Sequence, residues 1–194
     1  MKLLRLAFIV AAGLLFTAGA SAQITVAGVR YEATADVAGT KLQLNGAGIR
    51  YRGPFRVYTA ALYLGKKTES PEEALAQPGA KRIAIQMLRE VDSNELGKLF
   101  TRAVEDNMDR SAFSKLVPSL IRMGQIFSEH KKLVSGDTFS IEWIPNTGTV
   151  ITIKGQPQGE PFKEPEFFNA LLRIWLGQKP ADWMLKDALL GKPS

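Results

Sequence analysis

The order of predicted elements in this chain of 194 residues is typical of an α+β protein, with an antiparallel β-sheet and a layer of α-helices packed on one face. Two observations predict it. Strand patterns come first, helical patterns follow, and a hairpin and two further helical patterns close the chain. A parallel sheet would instead show regular alternation of strand and helix. Because no repeat or linker divides the sequence, we predict a single domain over residues 23–194.

The first 22 residues have the pattern of a secretory signal peptide. Lys2 and Arg5 precede an apolar run over residues 6–16, and the small residues Ala20-Ser21-Ala22 form a cleavage site. A membrane-spanning helix would need about 20 continuous apolar residues. We therefore expect cleavage after Ala22, an exported periplasmic protein, and no stable membrane insertion after cleavage.

The composition excludes several kinds of site. The chain has no cysteine, and His130 is its one histidine, so disulfides and sites built from cysteine or several histidines are excluded. The net charge of +6 falls to +4 without Lys2 and Arg5, and the remaining basic residues are dispersed among acidic ones. A nucleic-acid surface would need a basic stripe. We predict no metal, no cofactor and no nucleic-acid partner, and the oligomeric state stays open.

A hairpin over residues 42–64 is the most distinctive predicted element. Leu42 and Leu44 alternate with polar residues, as in a strand with one buried face. The segment Gly46-Ala47-Gly48 permits a bend or a positive φ. Gly53-Pro54 then turns the chain, and Phe55–Leu64 is rich in the aromatic and β-branched residues that strands prefer. One or two short strands are expected before it, within residues 24–35.

Between this hairpin and the next, three helices and a strand are predicted. Ser70-Pro71 begins a short helix, because serine caps and proline suits the first turn. Residues 81–88 read as a strand. Asp92 caps a helix with an apolar stripe. A second long helix is predicted from Ser111 to about residue 132, with a kink or break at Pro118.

The C-terminal third is predicted as a hairpin followed by two helices. Residues 137–144 alternate strictly, a turn follows, and residues 150–154 return as the partner strand. Apolar stripes then follow Pro165 and cover residues 183–190. Gly177 and Gly191 stand where C-terminal caps belong.

Arg50 and Tyr58 are the polar residues of the central hairpin with the clearest chemistry. A buried arginine needs a partner, and its planar guanidinium fits a carboxylate. If both residues face the helices across the hairpin, they form an anion-recognition pair at the bottom of an apolar cleft. The alternative is that Arg50 pairs with an internal acid such as Asp137 or Glu142, or points to solvent.

The chain resembles the chalcone isomerase-like family, in particular its bacterial exported members. The resemblance rests on Gly46-Ala-Gly48-Ile-Arg50, on Val57-Tyr58-Thr-Ala-Ala-Leu-Tyr63, and on shorter matches in the same order. The shorter matches are at residues 81–83, 136–137, 146–149, 174–177 and 189–191. It implies the chalcone isomerase-like fold, shared with plant chalcone isomerases and plastid fatty-acid-binding proteins.

The resemblance also implies a site. In this family the arginine after Gly-x-Gly binds ligand, and Tyr58 stands where the fatty-acid-binding members have a tyrosine that holds the lipid carboxylate. Leu96 and Ala103 stand where the isomerases carry a polar tyrosine and asparagine. The predicted ligand-binding residues are Arg50, Tyr58, Thr59, Tyr63, Leu96 and Ala103, with no catalytic residue. Further candidate wall residues are Leu99, Phe100, Leu120 and Phe127.

Three functions follow as hypotheses. The first is a non-catalytic periplasmic protein that binds a fatty acid or similar amphipathic carboxylate in a cleft between sheet and helices. The second is an isomerase or lyase-type enzyme acting on a small aromatic or enone substrate. The third is an envelope interaction protein with a vestigial cleft.

Overall fold

The computed structural model describes residues 23–192, and the predicted signal peptide lies outside them. Its main sheet has seven strands, all antiparallel, in the order β11-β10-β9-β6-β5-β4-β3. These strands are β3 (Thr34–Val37), β4 (Thr40–Arg52), β5 (Phe55–Leu64), β6 (Lys81–Met87), β9 (Thr138–Ile144), β10 (Gly148–Ile153) and β11 (Gln156–Pro157). Two short pairs complete the strands: β1 (Ile24–Val26) with β2 (Val29–Tyr31), and β7 (Val91–Asp92) with β8 (Lys132–Leu133).

Five helices occur in the described residues. They are α1 (Pro71–Ala76), α2 (Ser93–Asp106), α3 (Arg110–Ser128), α4 (Pro165–Leu176) and α5 (Trp183–Leu189). Ser70, Asp92 and Asp182 cap α1, α2 and α5 with side-chain oxygens that accept backbone N–H groups. None of these helices is long and apolar enough to cross a membrane.

The sheet separates two hydrophobic cores. All five helices contribute to the larger core on one face, where β5 supplies Tyr58, Ala60 and Leu62. The β1–β2 pair covers part of the other face, where β5 supplies Ala61 and Tyr63. Alternate residues of one strand face opposite sides of a sheet, so the same strand serves both cores. The predicted α+β fold, with helices on one face of an antiparallel sheet, is confirmed.

Gly46 and Gly48 have another role than the predicted one. Neither has a positive φ, and both lie within β4, next to a register shift. A Cβ at Gly46 would lie 2.0 Å from the carbonyl oxygen of Ala188, and one at Gly48 would lie 2.6 Å from the Ala188 Cβ. These glycines therefore let α5 and the residues after it approach β4 closely.

Of the kink or break predicted at Pro118, the break does not occur, and the kink stays a prediction. The helix α3 continues from Arg110 through Pro118 to Ser128. Eight residues precede the proline in this helix. A proline in mid-helix removes one backbone hydrogen bond, and the helix continues beyond that position.

Candidate functional site

A cleft of about 840 Å³ opens between the β4–β5 hairpin and the helices. Its size falls within the range of about 300–1,000 Å³ that is usual for small-molecule sites. Apolar side chains of α2 form one wall, namely Leu96, Leu99, Phe100 and Ala103. Ile174 of α4 and the segment 179–181 before α5 lie opposite. Arg50 and Tyr58 also line the cleft, so apolar side chains and polar groups meet in it. Eight further lining residues are charged, namely Arg52, Arg89, Glu90, Asp92, Glu95, Arg102, Asp106 and Lys179.

Arg50 and Tyr58 are direct cross-strand partners in the β4–β5 ladder. Residues paired in this way share a face of the sheet, and Tyr58 belongs to the helix-side core. The predicted juxtaposition of these two side chains is therefore confirmed. Their role in ligand binding stays a prediction.

The acid nearest to Arg50 is Asp182. Its Oδ2 lies 3.7 Å from the Arg50 Nη1, and the two side chains are 23% and 8% exposed. The acids named in the sequence-based alternative are engaged elsewhere. Asp137 lies 2.8 Å from the Lys154 ammonium, and Glu142 lies 2.6 Å from Arg82. Arg50 therefore pairs with an internal acid, but this acid is Asp182 and not Asp137 or Glu142.

Asp182 is held mainly by backbone groups. Its Oδ2 accepts the Tyr51 N–H at 2.9 Å, and its Oδ1 accepts the N–H groups of Met184 at 2.9 Å and Leu185 at 3.3 Å. These bonds cap α5 and tie it to β4. At 3.7 Å the contact with Arg50 is an ion pair beyond hydrogen-bond distance. Within residues 23–192, the Arg50 guanidinium makes no closer contact with an acid.

Tyr58 is nearly fully buried, with 4% of its surface exposed. Its hydroxyl oxygen accepts a hydrogen bond from the Trp175 indole N–H at 3.0 Å. Burial raises the pKa of Tyr58 to about 12, against the opposing effects of the Trp175 hydrogen bond and the Arg50 guanidinium. Burial therefore extends to higher pH the range in which Tyr58 is neutral, and its own hydroxyl proton remains available to donate.

Leu96 and Ala103 line the cleft as predicted, whereas Thr59 and Tyr63 do not. Thr59 is buried on the opposite face, where its Oγ1 and the Tyr31 hydroxyl are hydrogen-bonded at 2.8 Å. The Tyr63 hydroxyl, on the same face, donates to the Glu32 carbonyl at 3.1 Å. Placing these two residues in the site was wrong, because each is an odd number of positions from Tyr58 along β5.

The candidate wall residues divide between two places. Leu99 and Phe100 line the cleft. Leu120 lines a separate groove of about 1,010 Å³ between α2 and α3, and Phe127 is fully buried in the core. Phe127 packs edge-on against Phe100, with ring centroids 5.8 Å apart, so it supports a wall residue from behind.

Sequence reasoning missed Asp182 and Trp175 as parts of the site. Asp182 follows Pro180-Ala181 and precedes a helical pattern, which is the signature of an N-cap. Nothing in that pattern connects it with Arg50. Trp175 lies in an apolar helical stripe, although a buried indole N–H usually has an acceptor.

Comparisons with known proteins agree with this architecture. The family model described as chalcone isomerase-like matches residues 22–191. The chain belongs to the chalcone isomerase-like family. Among solved structures, it is similar to the Arabidopsis thaliana fatty-acid binding protein AtFAP1. The two chains are 15% identical with a TM-score of 0.69, over 87% of this chain and 96% of the other. No curated protein matches this sequence.

The chalcone isomerase-like fold explains why the cleft lies where it does. The β4–β5 hairpin supplies Arg50 and Tyr58, and α2 supplies an apolar wall. The N-cap of α5, Asp182, lies 3.7 Å from Arg50. At 15% identity, the similarity to AtFAP1 establishes the fold alone.

Proposed function

We propose that this chalcone isomerase-like protein is a non-catalytic binder of a fatty acid or a similar amphipathic carboxylate. The carboxylate contacts the Arg50 guanidinium and the Tyr58 hydroxyl, and the hydrocarbon body lies against Leu96, Leu99 and Ala103. The predicted signal peptide supports a periplasmic location. The fatty-acid ligand named for AtFAP1 is consistent with this proposal.

The incomplete pairing of Arg50 carries the proposal. A guanidinium has five N–H donors, and the nearest acid stands 3.7 Å away and is fixed by three backbone N–H groups. Arg82 offers a contrast, because its side chain is similarly exposed at 26% and contacts Glu142 at 2.6 Å. Arg50 also interacts with the Tyr58 hydroxyl, but most of its donors remain for an external anion. They lie in a cleft that is also lined by the apolar Leu96, Leu99 and Ala103.

The arrangement favours binding over turnover. Burial raises the pKa of Tyr58, which makes its hydroxyl a weaker acid, and α2 contributes the apolar Leu96 and Ala103 to the cleft. Neither of these two side chains can donate a hydrogen bond to a developing negative charge, which an isomerase would have to stabilise. The cleft also has room beside Arg50, which argues against a vestigial site.

Calorimetric titration with dodecanoic acid and with its methyl ester tests the proposal. The acid should bind more tightly than the ester, because only the acid presents a carboxylate. Arg50→Ala should weaken binding of the acid about 100-fold, the size expected for loss of a desolvated charge pair, and change binding of the ester little. Arg82→Ala is the matched control and should retain the affinity within about threefold. Equal affinity for acid and ester, or no effect of Arg50→Ala, would overturn the proposal.

A further inference from the structure

The tip of the β4–β5 hairpin exposes an aromatic ring among arginines. Phe55 is 57% exposed, and the Arg89 guanidinium lies over its ring, 4.9 Å from the centroid. Arg52 and Arg56 flank it in sequence and are exposed as well. We call these four residues, Arg52, Phe55, Arg56 and Arg89, the hairpin-tip surface.

Three residues of this surface, Phe55, Arg56 and Arg89, line a depression of about 430 Å³. Its lining contains two arginines, three apolar residues and one proline, and no acid: Ala27, Pro54, Phe55, Arg56, Leu88 and Arg89. Three separate segments meet there, namely the β1–β2 turn, the β4–β5 turn and the end of β6. A cationic, partly apolar depression on a protruding tip has the chemistry to receive a phosphate headgroup.

Of the three arginines of this surface, only Arg52 has an acidic partner within the described residues. Glu90 pairs with Lys132 at 2.8 Å, and Glu95 lies 3.8 Å from Arg52. Across residues 23–192, neither Arg56 nor Arg89 forms an ion pair. Two arginines beside an exposed phenylalanine complement an anionic lipid surface, since basic residues are drawn to anionic headgroups and aromatic rings enter the interface.

The hairpin-tip surface is also continuous with the mouth of the cleft. Pro54, Phe55 and Arg89 line both the depression and the cleft, so Phe55 stands between them. A bilayer contacting this tip would therefore lie next to the cleft entrance. A headgroup region receives the exposed Phe55 ring as well as the arginines, whereas an acidic protein segment would pair with the arginines alone, so a membrane fits this surface better.

We propose that the hairpin-tip surface docks the protein on an anionic phospholipid bilayer. Phe55 enters the headgroup region, and Arg56 and Arg89 contact phosphate groups. Docking would let an amphipathic ligand pass between the bilayer and the cleft, and only this consequence rests on the proposed function.

Flotation with lipid vesicles tests the docking. The protein is the chain beginning at Gln23, because the apolar run of residues 6–16 would bind vesicles by itself. Every described helix and strand lies within this chain. Vesicles contain phosphatidylcholine alone or with phosphatidylglycerol. The protein should float only with the anionic vesicles, and salt at about 0.5 M should release it.

Substitutions at the tip should abolish the binding. The triple variant Phe55→Ser, Arg56→Ser, Arg89→Ser should bind at least about 25-fold more weakly, since each arginine contributes about fivefold. The control Lys66→Ser, Lys67→Ser removes the same charge from exposed positions beyond the other end of β5, and should bind within about twofold of the unsubstituted chain.

Three results would overturn docking at this tip. They are flotation of the triple variant like the unsubstituted chain, equal loss in the lysine control, and equal binding to neutral vesicles. Arg50→Ala keeps this test separate from the proposed function. It should lose dodecanoic acid and still float with anionic vesicles, whereas failed docking alongside intact fatty-acid binding would contradict only this inference.

Discussion

The two faces of the β4–β5 hairpin carry similar hydroxyl side chains in different settings. On the face away from the helices, Thr59 is bonded to Tyr31, and Tyr63 donates to the Glu32 carbonyl. On the helix face, Tyr58 accepts from Trp175, and its own proton has no acceptor within the described chain. One face satisfies its polar groups internally, while the other leaves donors beside a cleft.

The difference shows that the packing partner decides what a polar strand residue does. The arginines repeat the pattern. Arg82 opposes Tyr63 in the β5–β6 ladder and contacts Glu142 at 2.6 Å, whereas Arg50 opposes Tyr58 and its nearest acid stands at 3.7 Å. Close pairing stabilises the fold, and loose pairing leaves an arginine able to bind an anion.

The largest expected effect is on the free energy of unfolding, through the close packing of α5 on β4. Gly46→Ala should lower the free energy of unfolding by about 3 kcal/mol, because its Cβ would lie 2.0 Å from a backbone oxygen that cannot simply rotate away. Gly124→Ala in α3 is the control. Nothing lies within 4 Å of that Cβ, and the helix should gain up to about 1 kcal/mol. Denaturant unfolding measures both, and equal stability of the two variants would contradict the close packing.

Alkaline unfolding compares the two faces through one tyrosine each. Burial raises the pKa of both Tyr31 and Tyr58 to about 12 from an ordinary value of 10.0. Between pH 10 and about pH 12, each of these tyrosines keeps its proton in the folded state and loses it in the unfolded state. The stability contributed by each tyrosine is therefore constant below pH 10 and falls as pH rises to 12, by about 2–3 kcal/mol.

Tyr31→Phe and Tyr58→Phe should each remove the alkaline loss of stability that one tyrosine contributes, about 2–3 kcal/mol. Denaturant unfolding of the three proteins between pH 9 and pH 12 measures the difference, in which the titration of all other groups cancels. If a variant kept the pH dependence of the unsubstituted protein, the burial of that tyrosine would be contradicted.

A crossed pair of substitutions separates stability from binding. Thr59→Val should cost about 1–2 kcal/mol of stability by leaving the Tyr31 hydroxyl without its partner, and should leave the affinity for dodecanoic acid unchanged. Tyr58→Phe should weaken that affinity about tenfold through loss of a hydrogen bond to a charged group. Titration calorimetry and unfolding on the same samples give both readouts. Weaker binding in Thr59→Val than in Tyr58→Phe would reverse the assignment of the faces.

The smallest expected effect is a gain. Asp182→Asn removes the negative charge that competes with a ligand carboxylate for Arg50. Its single amide oxygen can still cap α5, while the hydrogen bond from the Tyr51 N–H is lost. Dodecanoic acid should then bind about threefold more tightly. Asp137→Asn, at a residue that does not line the cleft, should leave the affinity unchanged. Weaker binding in Asp182→Asn would mean that this carboxylate positions Arg50 for the ligand.

Local patterns predicted the elements of this fold well. Ser70-Pro71 and Asp92 begin helices where the capping pattern places them, and residues 138–144 form the expected strand. The pairing of Arg50 with Tyr58 could also be predicted from the sequence, because two strands joined by a short turn have a restricted register. Such features depend on residues close together in sequence.

The rest of the site depends on distant contacts. Trp175 lies 117 residues beyond the tyrosine to which it donates, and Asp182 bonds to the Tyr51 N–H across 131 residues. No local signal connects such pairs. The misplacement of Thr59 and Tyr63 has a different cause, since the two-residue period of a strand already separates them from Tyr58.

The most direct test of the account is a crystal structure with 12-bromododecanoic acid, whose bromine marks the end of the hydrocarbon chain by anomalous scattering. If Arg50 and Tyr58 bind the head group, the carboxylate lies within about 3.2 Å of the Arg50 guanidinium and the Tyr58 hydroxyl. The bromine then lies beside Leu99 and Ala103. A bromine signal in the groove between α2 and α3, or a carboxylate away from Arg50, would contradict it.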